Sequence, residues 1–470
     1  MGRATAPRSR TLHRPAGTAS RGSALAALRD PVWGATFTRW GLVGILVRLL
    51  LLPVGVSSDM LAVYWRSHVI AFHGGVFERY LVNMGSHAVH AAWLRVVQPL
   101  MGPADQLWTH PWWWAEPVAL VPSHVNALLA RFDAARVLTL LKLPYILADL
   151  AAGLVLLALL WPRDGPVSDD AARRARTTWI LWMLSPAALY ATLIFGRYES
   201  FPVLAVLAAL LLAERRRTLA AAIVLGLAVT LRTYPIVLVP VFALVVYRDL
   251  PRQVGWAALA VAPFAATMVA NRVVGGSYGE LAAVGDYPFG GNWFAFTLQP
   301  DRGGPGVLLF AAALLALGGY LLGRSRGWWG VGVVATGDLW RWVALAHLAM
   351  FAFAQFSAHY LAWIVPAVAL VAGRTPARGV VPLHLAQVAG VFVAAAVLWG
   401  GGLFAGALGG LGDTARDLLP FGPLLEGPRG KQVADLAWTT FWVATLAIAL
   451  PLLRDSLRPG RAGRPLTAAG

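Results

Sequence analysis

Twelve apolar runs, most of them near twenty residues, follow one another along the chain with only short polar breaks between them. About 20 helical residues cross the ~30 Å hydrocarbon core of a bilayer, so runs of this length read as membrane-spanning helices. They fall at about 38–56, 137–161, 177–196, 199–213, two within 218–247, then 254–272, 305–323, 340–357, 360–373, 379–400 and 433–453. Composition closes off the other classes. Only 13% of the 470 residues are charged and 58% are apolar, against ~25% and ~45–50% in soluble domains. Disorder requires low hydrophobicity and is equally excluded. The expected fold is an all-α, polytopic integral membrane bundle of about twelve transmembrane helices, within a range of ten to thirteen.

The stretch 218–247, TLAAAIVLGLAVTLRTYPIVLVPVFALVVY, sets the parity. Read as one helix, it buries Arg232 beside Pro235 at mid-membrane, where a charge is expensive and a proline removes a backbone hydrogen bond. Read as a hairpin of two short spans, it puts both at a turn. The flanks agree, because Arg215–Arg217 precede the stretch and Arg248 and Arg252 follow it. Both flanks therefore belong on one side.

Lys and Arg collect in the cytoplasmic loops of membrane proteins. Here the segments 1–37 with Arg39, 162–176, 214–217, 248–253, 324–341, 374–378 and 454–470 carry 25 basic and 8 acidic residues. That accounts for the whole net charge of +17, and the remainder holds fourteen of each sign. The excess that would suit nucleic acid in a soluble protein is thus an orientation signal, and no nucleic-acid partner is expected. Both termini are assigned to the cytoplasm, as a tail over 1–37 and a tail over 454–470 flanking a membrane domain over 38–453. The first helix reads as uncleaved. Only Lys142 and Lys431 are lysines, the arginine bias of a GC-rich genome, and the location expected is a bacterial plasma membrane.

Three outer segments remain: 57–136, about 273–304, and a Gly-rich one at about 401–432. The first contains AVYWRSHVIAF and HAAWLRVV, too short to span and suited to lie in the interface. Trp112–Trp114 read as part of an aromatic belt.

Cysteine is missing altogether, which removes disulfides, thiol nucleophiles and Cys-ligated metals. The chain has no phosphate-binding GxxxxGK[ST] loop, no HExxH and no EF-hand loop, so an ATP-driven pump is disfavoured. What chemistry there is must come from polar residues at the outer ends of helices. Asp59 follows the first helix, where a carboxylate held by a rigid element at the membrane surface suits a general base and equally suits a helix end. Arg66 and His68 lie further along the same loop. Arg197 and Glu199 share the short turn between the third and fourth helices, with Arg232 at the next outer turn. Arginine's planar fork grips phosphate, and Glu199 would bond sugar hydroxyls or orient the arginine. Tyr234, His359 and Tyr360 complete the set of outer polar and aromatic groups. Lys142 opens the second helix and Asp149 lies two turns inside it, where an acid requires a partner that the sequence does not name.

Five stretches carry a resemblance: SSDMLAVYW, KLPYILADL, LSPAALYATLIFGRYESFPVLAVLAALL, LGLAVTLRTYPIVLVPVFAL and FSAHYLAWIVPAVAL. In this order they resemble the GT-C fold glycosyltransferases that use polyprenyl-phosphate sugars, and most nearly the catalytic subunit of GPI mannosyltransferase I with its bacterial mannosyltransferase relatives. The resemblance covers 57 to about 370. It implies that Asp59 deprotonates an acceptor hydroxyl, which displaces the lipid phosphate with inversion. Arg197, Arg232 and His359 would neutralise that phosphate, and Arg66, His68, Glu199, Tyr234 and Tyr360 would line the substrate. The family's eukaryotic member has Asp-x-Asp at this place and this chain has Ser57 for the first acid, so no metal and no other cofactor are expected. The partners implied are a polyprenyl-phosphate sugar donor, mannose favoured, a lipid- or glycan-linked acceptor of the cell envelope, and membrane lipids; the oligomeric state stays open. Two alternatives remain. A flippase of lipid-linked sugars differs in releasing no lipid phosphate when acceptor is added. An oligosaccharide ligase usually carries its large outer loop late, and here the large loop is first.

Overall fold

The structure is a computed structural model that describes residues 23–73, 83–101, 128–162, 167–275, 297–298, 307–328, 334–354, 356–376, 379–399 and 427–458. Trp112–Trp114, most of 273–304 and of 401–432, and the ends of both tails lie outside the described residues.

Apart from a two-residue antiparallel ribbon pairing Thr297–Leu298 with Val307–Leu308, the described chain is helical. After a short helix α1 (Ala24–Leu28) come α2 (Gly34–Leu51), α3 (Ser58–Phe72), α4 (Met84–Val97), α5 (Ala134–Leu160), α6 (Asp169–Met183) and α7 (Pro186–Leu189). There follow α8 (Ser200–Glu214), α9 (Thr218–Leu231), α10 (Leu238–Val246), α11 (Leu250–Gly275), α12 (Leu309–Arg326), α13 (Leu339–Phe353), α14 (Ile364–Arg374), α15 (Val380–Trp399) and α16 (Gly427–Leu457). Each of the twelve apolar runs coincides with a helical segment of this series. Six stretches are long and apolar enough to cross a membrane: Gly34–Leu51, Ala134–Leu160, Asp169–Ile194, Leu250–Ala270, Val380–Val397 and Pro428–Leu457. The protein is a polytopic helical membrane protein.

The hairpin reading of 218–247 holds. Arg232 leaves α9 in an extended conformation (φ −156°, ψ 139°), and a single 3-10 turn over Tyr234–Val237 leads into α10. The two ends of the stretch meet through a 2.8 Å hydrogen bond between the hydroxyls of Thr218 and Tyr247. The arginine-rich segments also gather at one end of the bundle. Arg374 forms a bidentate pair with Glu214 at 2.6 and 2.8 Å and donates to the carbonyl of Leu159. Arg174 reaches the carbonyl of Gly373, and Arg326 that of Arg248.

Some boundaries differ from expectation, for identifiable reasons. The first helix stops at Leu51 instead of 56, because Pro53 and Gly55 follow immediately. The third begins at Asp169, eight residues early, because Ser168 accepts from the backbone N–H of Ala171 and caps a polar first turn that hydropathy cannot see. It breaks at Leu184-Ser185, where Pro186 cannot donate. In the loop helix α3 every residue from Met60 to Trp65 is buried. It is a wall of the bundle, packed on α4 and against α5.

The acid inside the second helix has its partner in the first. Arg48 donates from Nε to Asp149 at 2.6 Å and from Nη1 to the carbonyl of Met183 at 2.6 Å, with both charged residues almost fully buried. One pair thus ties α2, α5 and α6 together at membrane depth.

Helix length positions the site. Helix α8 has 15 residues and α9 has 14, which at ~1.5 Å per residue span only about 21–23 Å. Their turns therefore sit below the surface of a ~30 Å hydrocarbon core. Irregular backbone at that depth must be enclosed by protein, and α3 and α4 provide part of the enclosure. Ser86 on α4 donates to the carbonyl of Leu231 at 2.7 Å, closing the end of α9 beside Arg232.

Candidate active site

Four segments far apart in sequence converge here: the start of α3, the turn 195–199, the break at Arg232 and the turn 358–363. Asp59 lies in the first turn of α3, a helix capped by Ser57, whose hydroxyl accepts from the N–H of Met60 at 3.1 Å. Ser57 is thus a helix cap. Asp59 is held by the start of a second helix rather than by the end of the first.

The turn bearing Arg197 is built from a widened, π-type turn over Tyr190–Ile194. The N–H of Phe195 reaches back to Tyr190 at 2.7 Å, and that of Arg197 to Ala191 at 2.8 Å. Gly196 then takes φ +74°, a conformation that side chains with a Cβ rarely adopt. A Cβ there would also meet Met60 Sδ at 2.5 Å, so Gly196 admits the residue next to Asp59. Lys142 locks the assembly. Its buried ammonium donates to the carbonyls of Leu52 at 2.8 Å and Leu193 at 2.7 Å, joining the chain before Asp59 to the chain before Arg197.

These devices bring Arg197 to Asp59. Nη2 of the arginine lies 3.4 Å from the carboxylate, and Nη1 donates to the Asp59 carbonyl at 3.3 Å. Behind them Glu199 is fully buried, accepting from Trp363 Nε1 at 2.6 Å and facing Arg232 at 3.4 Å and Arg197 at 3.9 Å. Arg232 donates to the hydroxyls of Tyr198 at 2.9 Å and Tyr360 at 2.7 Å. Trp363 is stacked between Tyr234 (4.0 Å) and Tyr360 (4.3 Å). His359 stacks on Phe195 at 4.5 Å, and its buried Nε2 has no hydrogen-bond partner among the described residues.

The two acids differ in access. The Asp59 side chain keeps 23% of its surface exposed, whereas that of Glu199 has none. Two guanidinium groups balance the two carboxylates, and Arg66 adds positive charge close by. The His87 imidazole on α4 is held well below its usual pKa, first by burial, then by Arg66, His90 and the two site arginines.

Of the nine residues expected from sequence, the structure joins Asp59, Arg197, Glu199, Arg232, Tyr234, His359 and Tyr360 in one contact network. Arg66 lies within electrostatic reach through His87. His68 belongs to a separate group, 3.3 Å from His73 and tilted against Phe72. Sequence reasoning missed Trp363 and Tyr198. Trp363 stands three residues after Tyr360 and four after His359, a spacing that puts all three on one helical face, and that was the available signal.

Residues 113–282 match the family model of Glycosyltransferase family 87. The match indicates a glycosyltransferase, and with the apolar helices a membrane one. It covers roughly a third of the chain and includes Lys142, Arg197, Glu199 and Arg232, while Asp59 and the 358–363 turn join that segment only through the contacts above. Comparisons with curated proteins and with solved structures return no match.

Proposed function

We propose that this protein transfers a hexose, mannose by the family likeness, from a polyprenyl-phosphate donor to a lipid- or glycan-linked acceptor on the outer face of a bacterial plasma membrane. Asp59 is the general base. Its carboxylate takes the proton of the acceptor hydroxyl, the freed oxygen attacks the anomeric carbon, and the bond from that carbon to the phosphate oxygen breaks with inversion. The departing polyprenyl phosphate keeps the electron pair, and Arg197 and Arg232 neutralise its charge, an interaction strengthened in a recess with little water. His359 Nε2 supplies a further polar contact to the phosphate. Glu199 acts as a positioning residue that orients both arginines.

One observation carries this reading. The partly exposed carboxylate and the two arginines share one charge cluster, while the other acid is sealed behind them. An accessible base beside a phosphate-sized cationic group is what displacement at a sugar phosphate requires. The GT-C likeness supports it further, as does the net positive charge of the opposite end, which suits an outer position for the site.

The test is turnover of purified protein with a panel of polyprenyl-phosphate sugars and cell-envelope acceptors, read as release of lipid phosphate. Asp59→Asn should remain folded and lose transfer, and wild-type turnover by that variant would sink the base assignment. Failure of the wild-type protein to release lipid phosphate with any pair would favour a flippase instead.

A further inference from the structure

A cleft of about 430 Å³ opens between α6 and α15 at the end of the bundle opposite the candidate active site. Arg173 and Arg176, both exposed, stand at its mouth, and Ile180, Leu184 and Leu385 are among its apolar lining. The lining of α6 follows the helical repeat, with 173, 176, 177, 180 and 184 on one face. From Arg176 to Leu184 is about 12 Å along the axis, a descent from the polar margin into the hydrocarbon. Further along the chain, Tyr190 and Phe392 meet edge to face at 4.8 Å and bring α15 against the segment that follows α6 and α7.

The charges at the mouth are accessible to a ligand. Arg174 points elsewhere, to the carbonyl of Gly373. Arg173 is paired with Asp170, but both side chains are mostly exposed (62% and 73%), so an anion can replace that partner. Arg176 is exposed and makes no ion pair among the described residues. Cations at the mouth and an apolar slot beneath them match the two halves of one molecule, an anionic head group and an acyl chain. We infer that this cleft is a binding site for an anionic phospholipid, with the phosphate on Arg176 and Arg173 and one acyl chain lying along Ile180, Leu184 and Leu385. The site is independent of the proposed transfer reaction.

The experiment uses the full chain in detergent with two photoactivatable lipids, phosphatidylglycerol and phosphatidylcholine, carrying the same diazirine in one acyl chain. Crosslinks are located by peptide mass spectrometry. Phosphatidylglycerol should label peptides containing 180–186 and 381–385 in preference to phosphatidylcholine. Arg176→Gln should reduce that labelling about fivefold, the effect of one basic residue at an anionic lipid surface, and Arg173→Gln with Arg176→Gln should reduce it further. Leu184→Trp, which fills the slot and leaves the arginines in place, should move the crosslinks off both peptides. Equal labelling by the two lipids, or labelling unchanged by Arg176→Gln, would overturn the assignment.

Discussion

Glu199→Gln separates holding the arginines from touching the substrate. The carboxylate is fully buried, with Arg232 at 3.4 Å and Arg197 at 3.9 Å. At an effective dielectric of ~20, unit charges 3.4 and 3.9 Å apart attract by about 5 and 4 kcal/mol. Glutamine has nearly the same shape and can still accept from Trp363. Arg232 keeps the hydroxyls of Tyr198 and Tyr360, and Arg197 keeps Asp59. The net loss is then near the lower end of the ~3–5 kcal/mol seen when one partner of a buried pair is removed. The unliganded variant should therefore melt several degrees below wild type in detergent. On the proposed function, a bound polyprenyl phosphate would supply the missing negative charge. At a hundred times its dissociation constant a ligand stabilises wild type by about 2.7 kcal/mol through mass action, and the variant should gain more, because the same ligand also relieves the one cation left uncompensated. The assay is thermal unfolding with and without polyprenyl phosphate. Equal increments in the two proteins would refute the placement of the phosphate on Arg197 and Arg232, and an undiminished melting point would refute the holding role of Glu199.

Gly196→Ala should cost about 1–2 kcal/mol from the left-handed backbone alone, with more from the contact to Met60, and should lower kcat. Pairing it with Met60→Ala should recover the contact part only, as read by thermal melts of the two variants. The His90 imidazole donates from Nδ1 to the Ser86 carbonyl at 2.5 Å and accepts from the Tyr145 hydroxyl at 2.7 Å. Burial brings its pKa down from 6.5 to about 4. Between those values the unfolded chain binds more protons than the folded one, so stability is full above pH 6.5 and falls as pH drops toward 4, by about 3 kcal/mol in all. Unfolding measured across that range should have a shallower slope in His90→Gln. Removing one member of the Arg48–Asp149 pair should cost ~3–5 kcal/mol, whereas Arg48→Met with Asp149→Leu should come close to wild type; melting the two single variants and the double completes the cycle. Chelation of divalent metals should leave turnover unchanged, with released lipid phosphate as the readout.

Features set by local chemistry were legible in the sequence, and features set by long-range contact were not. The break at Arg232 could be read because an arginine before Tyr-Pro inside a thirty-residue apolar run has one inexpensive solution, a turn. The residues of the recess could be nominated one at a time, since polar groups at the outer ends of spans are few. Their joining could not. Asp59 and Arg197 are 138 positions apart, and what unites them is Lys142 bonding two carbonyls and Gly196 admitting Met60, neither of which leaves a periodic trace. Arg48 shows the same limit from the other side. It sits in a run that hydropathy scores as apolar, and only its contact with Asp149 explains why either charge is tolerated at that depth. Trp363 escaped notice because an aromatic residue in a membrane helix is ordinarily belt or core, and here it donates the hydrogen bond that orients Glu199. The bundle is thus specified by apolar run length, which many sequences could supply, while the recess depends on a few backbone-directed contacts from Lys142, Gly196 and Ser86. Substitutions at those three positions should therefore impair the site more than their distance from the reacting atoms suggests.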